Sequence, residues 1–187
     1  NKMKNKSYDQ LKKREEEPAV NYIPPTWEEA RKYRQNLKAT PEVMDYLIKQ
    51  RGLSEKIIHW HIIGWDGERI TIPICDIGNN LLFFKLAKGP NDNNSDSPKM
   101  RYQPAGARAE LYDWQRLRYP AKLKLLVVCE GEFDRLVLEK NGFPAITGTS
   151  GAKTFKPEWA EKIAEVKNVY VCHDNDEAGK KGAENTA

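Results

Sequence analysis

From Lys124 to Asn185 the chain repeats one grammar three times, an apolar strand-like run followed by a helix-like run. The runs are "KLLVVCE" and "FDRLVLEKNG", "PAITGT" and "KPEWAEKIAEVK", "NVYVCHD" and "EAGKKGAEN". Strands that alternate with helices of about ten residues predict a parallel sheet with helices on its faces, because each crossover must return the chain to the same end. In such sheets ligands sit outside the carboxyl ends of the strands. Two of these strand ends are acidic. Glu130 closes the first run, Gly131 lets the chain turn, and Asp134 falls in the first turn of the next helix. The third run ends in "HDNDEAG", where Asp174 and Asp176 are two apart and, in extended chain, project to one side. Four carboxylates thus gather at one edge, where their repulsion calls for a cation. An all-oxygen site that keeps several waters suits magnesium. An acid at a helix start is also an ordinary, favourable cap, so "EGEFD" alone would be read as capping.

Upstream the period differs. Thr26 and Glu29 form a capping-box pattern opening "TWEEARKYRQNLKA". Thr40 and Pro41 open a second helix that ends at Gly52, and Ser54 caps a short third one. "ERITIPICDIGNNLLFFKLA" alternates around a Gly-Asn-Asn turn and predicts a β-hairpin. "KGPNDNNSDSPKMRYQPAGARAE" is rich in turn formers and predicts a long loop of the functional kind, and "LYDWQRL" a short helix. Residues 1–38 read as a polar leader or linker, 39–120 as a smaller mixed α+β unit, and 121–187 as the parallel-sheet unit. The start on Asn and the stop inside a helix-like run suggest a piece of a longer protein.

Composition excludes several classes. Of 187 residues 39% are hydrophobic and 31% charged, as in a globular chain with a polar surface. No apolar run approaches the roughly 20 residues that span a bilayer, and no signal peptide opens the chain. A cytoplasmic protein without a membrane partner is expected. Cys75, Cys129 and Cys172 are odd in number and widely spaced. They predict buried free thiols rather than a disulfide framework or a zinc module. The net charge of +4 permits a nucleic-acid partner without demanding one.

Lys99 to Lys124 holds seven basic residues against Glu110 and Asp113, interleaved with Tyr102, Tyr112, Trp114 and Tyr119. That mixture suits single-stranded nucleic acid, through phosphate contacts and base stacking. It equally suits a loop whose aromatics anchor it to the core. Lys99 and Arg101 are the leading candidates within it. "TGTSGAK" offers backbone amides and Lys153 to a phosphate, although its spacing is not that of a Walker loop. His59, His61 and His173 show no ligand spacing, and "HWHIIGW" reads as helix packing.

"EGEFD" and "DNDEAG" resemble the two signature motifs of the TOPRIM domain, shared by bacterial DNA primases, topoisomerases, OLD-type nucleases and recombination mediators. "VCEGEFDRLVLEKNGFPAITGTSGA" and "VCHDNDEAGKKGAEN" are most similar to the primase branch, notably phage and plasmid primases and primase-helicases. "RGLSEKIIHWHIIGW", "RITIPICDIGNNLLFFKL", "PKMRYQPAG" and "AELYDW" resemble the subdomain that precedes TOPRIM in the primase core. The resemblance spans residues 40–187 and implies a TOPRIM-type α/β fold after a smaller mixed subdomain. It implies RNA-primer synthesis on single-stranded DNA from ribonucleoside triphosphates, with Mg²⁺ or Mn²⁺ and alongside a fused or separate replicative helicase. Glu130, Asp174 and Asp176 would be the metal and catalytic acids, with Asp134, Gly131 and Gly179 in support. Arg69 and Lys85, on the hairpin, match basic positions in the primase core and would meet template or nucleotide phosphates, whereas as lone strand cations they read simply as surface residues. The zinc module of such primases has no counterpart in this sequence, and a further acidic motif would be expected after Ala187. A non-catalytic TOPRIM binding module and another TOPRIM enzyme are the alternatives.

Overall fold

The computed structural model describes residues 22–151 and 155–186. The expected leader up to residue 21 and Lys153 lie outside the described residues. Two four-stranded sheets organise the rest, in the orders β1-β2-β3-β4 and β5-β7-β6-β8.

The first sheet grows from the expected hairpin. β2 (Arg69–Cys75) and β3 (Leu81–Lys88) pair antiparallel around the Asp76–Asn80 turn. Asp76 accepts the Asn80 backbone N–H and Asn79 takes a positive φ of 67°, the conformation that a tight turn asks of Asn. β1 (Gly64–Trp65) pairs with β2, and β4 (Met100–Gln103) pairs with β3. The run from Lys88 to Glu110 is therefore not all loop: β3 offers a free edge, and four residues of the turn-rich stretch take it up.

Helices cover this sheet. α1 (Trp27–Lys38) starts with the predicted capping box, Thr26 and Glu29 each accepting the other's backbone N–H. Ala30 and Leu37 are buried and Tyr33 meets the Phe84 ring edge-on, so α1 belongs to the first unit and not to a linker. α2 (Pro41–Asp45) starts at Pro41 as predicted, but the Thr40 hydroxyl donates back to the Asn36 carbonyl and caps nothing. It runs into a π-helical turn, Tyr46–Gln50. α3 (Glu55–Trp60) is capped by Ser54, which accepts the Ile57 N–H.

The second sheet follows the βαβαβ expectation. β6 (Leu126–Cys129) is flanked by β7 (Ala145–Gly148) and β8 (Val169–Cys172), both parallel to it. "LYDWQRL" is not a helix throughout. Leu111 and Tyr112 form β5, which pairs antiparallel with Gly148 and Thr147, and a 3₁₀ turn covers Trp114–Arg118. Leu126 and Val128 face a core with Leu111, Leu117, Ile146, Trp159 and Ile163, the last two from α5 (Pro157–Ile163). Complete burial of each such large side chain is worth ~1.5–3 kcal/mol. α6 (Glu177–Thr186) follows β8.

α4 (Glu132–Lys140) joins the units. Its Phe133 and Leu136 enter the core of the first unit beside Leu53, Ile57 and Ile72, and Val137 packs against that core. Arg135, fully buried, donates to the Ala145 carbonyl and pairs with Asp113 and Glu139. Glu139 also receives Arg116 and His61. One polar network therefore ties α3, the 113–118 turn and α4 together. Helix packing accounts for only part of "HWHIIGW": His59 and an exposed Trp60 end α3, His61 joins this network, Ile63 is buried and Gly64–Trp65 form β1.

Candidate active site

Each acid is positioned by the end of a strand. β6 delivers Glu130 one residue beyond Cys129, and Gly131 starts α4 as its N-cap in extended backbone. Asp134, at the third position of α4, turns back toward Gly131. A Cβ on Gly131 would lie 2.9 Å from its Oδ2. The capping reading of "EGEFD" thus accounts for part of Asp134's placement. β8 delivers Asp174 two residues beyond Cys172, and the Asp174 backbone N–H donates to Glu130 Oε2 at 3.2 Å. Partial burial, then the charges of Asp174 and Glu130, raise the Asp134 carboxyl above its ordinary value, while Arg51 opposes them. Glu130, Asp134 and Asp174 therefore share one edge of the sheet.

Asp176 does not follow the extended-chain expectation. β8 ends at Cys172 and the chain bends, so Asp174 and Asp176 are no longer strand neighbours. Asp176 Oδ1 instead accepts the Gly179 N–H at 2.7 Å and caps α6. Gly179 is buried against Asp174, where a Cβ would stand 2.1 Å from the Asp174 carbonyl oxygen. Among the described residues no three His, Cys, Asp or Glu side chains converge as a ready-made metal cage. The donor set nonetheless fits a hard divalent cation that keeps its own waters: Glu130, Asp134 and Asp174 offer carboxylate oxygens at one strand end.

The basic candidates divide. Arg69 and Lys85 are not the surface cations that isolated strand positions suggest. Both are buried, at 3% and 6% exposure. Arg69 donates to the Pro98 carbonyl at 3.0 Å, to Asp92 and to the Ser97 hydroxyl, holding the loop before β4. Lys85 donates to the Thr149 carbonyl and lies 4.1 Å over the Tyr102 ring. Tyr102 donates to the same carbonyl at 2.9 Å. Two residues of the first sheet thereby hold the loop that follows β7. Lys99 and Arg101 are exposed, and Arg101 lines a cleft of about 600 Å³ with Trp65, Glu42 and Asp92. That cleft shares no lining residue with the acidic edge. The aromatics Tyr102, Tyr112 and Trp114 anchor the chain to the core or to Glu110, while Tyr119 stays exposed. Cys172 is exposed, against the expectation of three buried thiols.

Glu132 was missed by motif reasoning. It is buried and 3.9 Å from Lys85. Burial pushes its carboxyl up to about 7 against the lowering pull of Lys85. The available signal is its spacing. Glu132 stands four residues before Leu136, inside the stripe that Phe133 and Val137 complete.

Sheet order and the acidic strand ends define the class: an α/β unit with a parallel core, β7-β6-β8, beside a mixed α+β unit. Residues 127–187 match the Toprim-like family. The chain is 32% identical over 113 residues to a DNA primase of Thermotoga maritima, covering 59% of this chain and 20% of that protein. It is 34% identical over 131 residues to a DNA primase of Campylobacter jejuni, covering 64% and 20%. The chain thus spans about a fifth of the length of these relatives. Its fold matches the Aquifex aeolicus primase zinc-binding and RNA polymerase domains with a TM-score of 0.70 at 20% identity, over 83% of this chain and 48% of that one. Residues 127–187 are therefore similar to the Toprim-like family, and the chain resembles DNA primases in sequence and the primase core in fold.

Proposed function

We propose that this chain carries the catalytic acids of a DNA primase that makes RNA primers on single-stranded DNA. The observation that carries the reading is the Asp174 N–H to Glu130 Oε2 contact, which brings the two acidic motifs to one strand edge. Glu130 and Asp174, with Asp134 beside them and the uncommitted oxygen of Asp176, would hold Mg²⁺ or Mn²⁺. Bound there, the cation supplies charge stabilisation for transfer of a nucleotidyl group from a ribonucleoside triphosphate.

The chain's own residues orient the reactants. Glu130 stands where a 3′-hydroxyl proton can be accepted, as ligand or as base. Lys85 and Tyr102 fix the Thr149 carbonyl just after β7, and Lys153 of "TGTSGAK" would offer a charge to the triphosphate. Arg101 on β4 and Lys99 just before it, both exposed, would meet template phosphates. Arg69 acts from below, by fixing the loop that leads to Lys99. A replicative helicase, fused or separate, is the expected partner, and the cytoplasm the expected compartment.

The test is template-dependent primer synthesis by the full-length protein with labelled nucleotides. Glu130→Gln and Asp174→Asn should each abolish synthesis while thermal stability holds or rises, since repulsion is relieved. Synthesis retained by both variants removes these acids from the chemistry.

A further inference from the structure

Cys129 and Cys172 are partners in the register of β6 and β8. The strands are parallel, so their side chains leave the sheet on the same face. Neighbouring strands lie roughly 4.7–4.9 Å apart, and disulfides span Cα separations of roughly 4.4–6.8 Å. Their environments differ. Cys129 is 3% exposed, whereas Cys172, on the edge strand, is open to solvent. Cys129 Sγ makes only weak contacts, to the Ile146 and Gly131 carbonyls at 3.4 and 3.7 Å. A χ1 change that turns it toward β8 gives up little.

We propose that Cys129 and Cys172 are a modification site, oxidised by a small-molecule disulfide to an intrachain bond across the two strands. The exposed Cys172 reacts first. Its sulfur loses its proton to solvent and attacks one sulfur of the oxidant, whose S–S bond breaks and releases one reduced thiol. Cys129, held alongside, then displaces the second small thiol from Cys172 and loses its own proton. Two cysteines are oxidised by two electrons, and one small disulfide is reduced to two thiols. The neighbouring sulfur supplies a high effective concentration, which offsets the poor reactivity of a buried thiol. The bond lies one residue from Glu130 and two from Asp174, so it draws together the strand ends that carry them. Any effect on primer synthesis rests on the primase reading, but the cross-link does not.

Oxidised glutathione is the probe, on the reduced chain with its three free thiols. After oxidation, unfolding in guanidinium and maleimide labelling, reactive thiols should fall from three to one. Peptide mapping should join the Cys129 and Cys172 peptides, and dithiothreitol should restore all three thiols. Cys75→Ser, on β2 of the other sheet, should leave the cross-link intact, and Cys172→Ser should leave Cys129 free. A stable glutathione adduct on Cys172, three thiols unchanged, or a dimer joined through Cys172 would each overturn the proposal.

Discussion

Gly179 lies so close to Asp174 that a Cβ added to it would stand 2.1 Å from the Asp174 carbonyl oxygen and 2.9 Å from its nitrogen. The neighbours are backbone, so no side chain can swing away. The same Asp174 nitrogen donates to Glu130. The approach of one glycine therefore sets where the second acidic motif meets the first.

Ala in a helix interior is ordinarily better than Gly by ~1 kcal/mol. Here the sign should reverse. Gly179→Ala should lower the melting temperature, strip hydrogen-exchange protection from residues 177–186, and weaken Mn²⁺ binding read by paramagnetic resonance. A variant as stable as the parent, with α6 still protected, would show that the close approach is not obligatory.

Glu132 gives stability a pH dependence with a definite sign. Its folded pKa of about 7 lies above the ordinary 4.5. The folded state therefore holds the proton more tightly, and this group's contribution to stability falls as pH rises from 4.5 to about 7. The shift corresponds to ~3 kcal/mol in full. Glu132→Gln removes the titration, so its stability relative to the parent should improve by up to that amount between pH 4.5 and 8. Denaturant melts at several pH values measure it, and parallel curves would mean that Glu132 is ionised without penalty.

Arg135 is fully buried and answers Asp113 and Glu139 at once. Arg135→Met keeps much of the volume but takes one partner from each of two carboxylates that Arg116 still serves, so its cost should lie at or below the roughly 3–5 kcal/mol of breaking a buried pair outright. Burial works against the Glu139 charge, yet the His61 hydrogen bond and the Arg135 and Arg116 charges hold its pKa down to about 2. Its stabilisation is therefore present above 4.5 and is lost as pH falls toward 2. The penalty of Arg135→Met should accordingly shrink in acid. A constant penalty from pH 7 to pH 3 would place the cost in packing alone.

Lys99 and Arg101 are two residues apart and both exposed. Lys99→Ala with Arg101→Ala should weaken single-stranded DNA binding and flatten its salt dependence. Each lost phosphate contact lowers the log–log slope by roughly 0.7. Binding titrations from low to high salt read the slope directly, and an unchanged value would mean that β4 does not touch the backbone.

Local pattern alone determined much of this protein. The βαβαβ alternation, the hairpin about Asp76–Asn80 and the Thr26–Glu29 capping box are short-range, each set by periodicity or by residues three or four apart. Glu130 and Asp174 were legible for the same reason, since a parallel strand must end where its apolar run ends. What lay beyond the sequence was what covers each element. Arg69 and Lys85 look like surface cations until the loop before β4 and the loop after β7 close over them. β4 exists because β3 leaves an edge free, and β5 because β7 does. Asp176 left the acidic row to cap α6, drawn there as Gly179 closed on Asp174. Burial and close approach depend on partners dozens of residues away, and no local period encodes them.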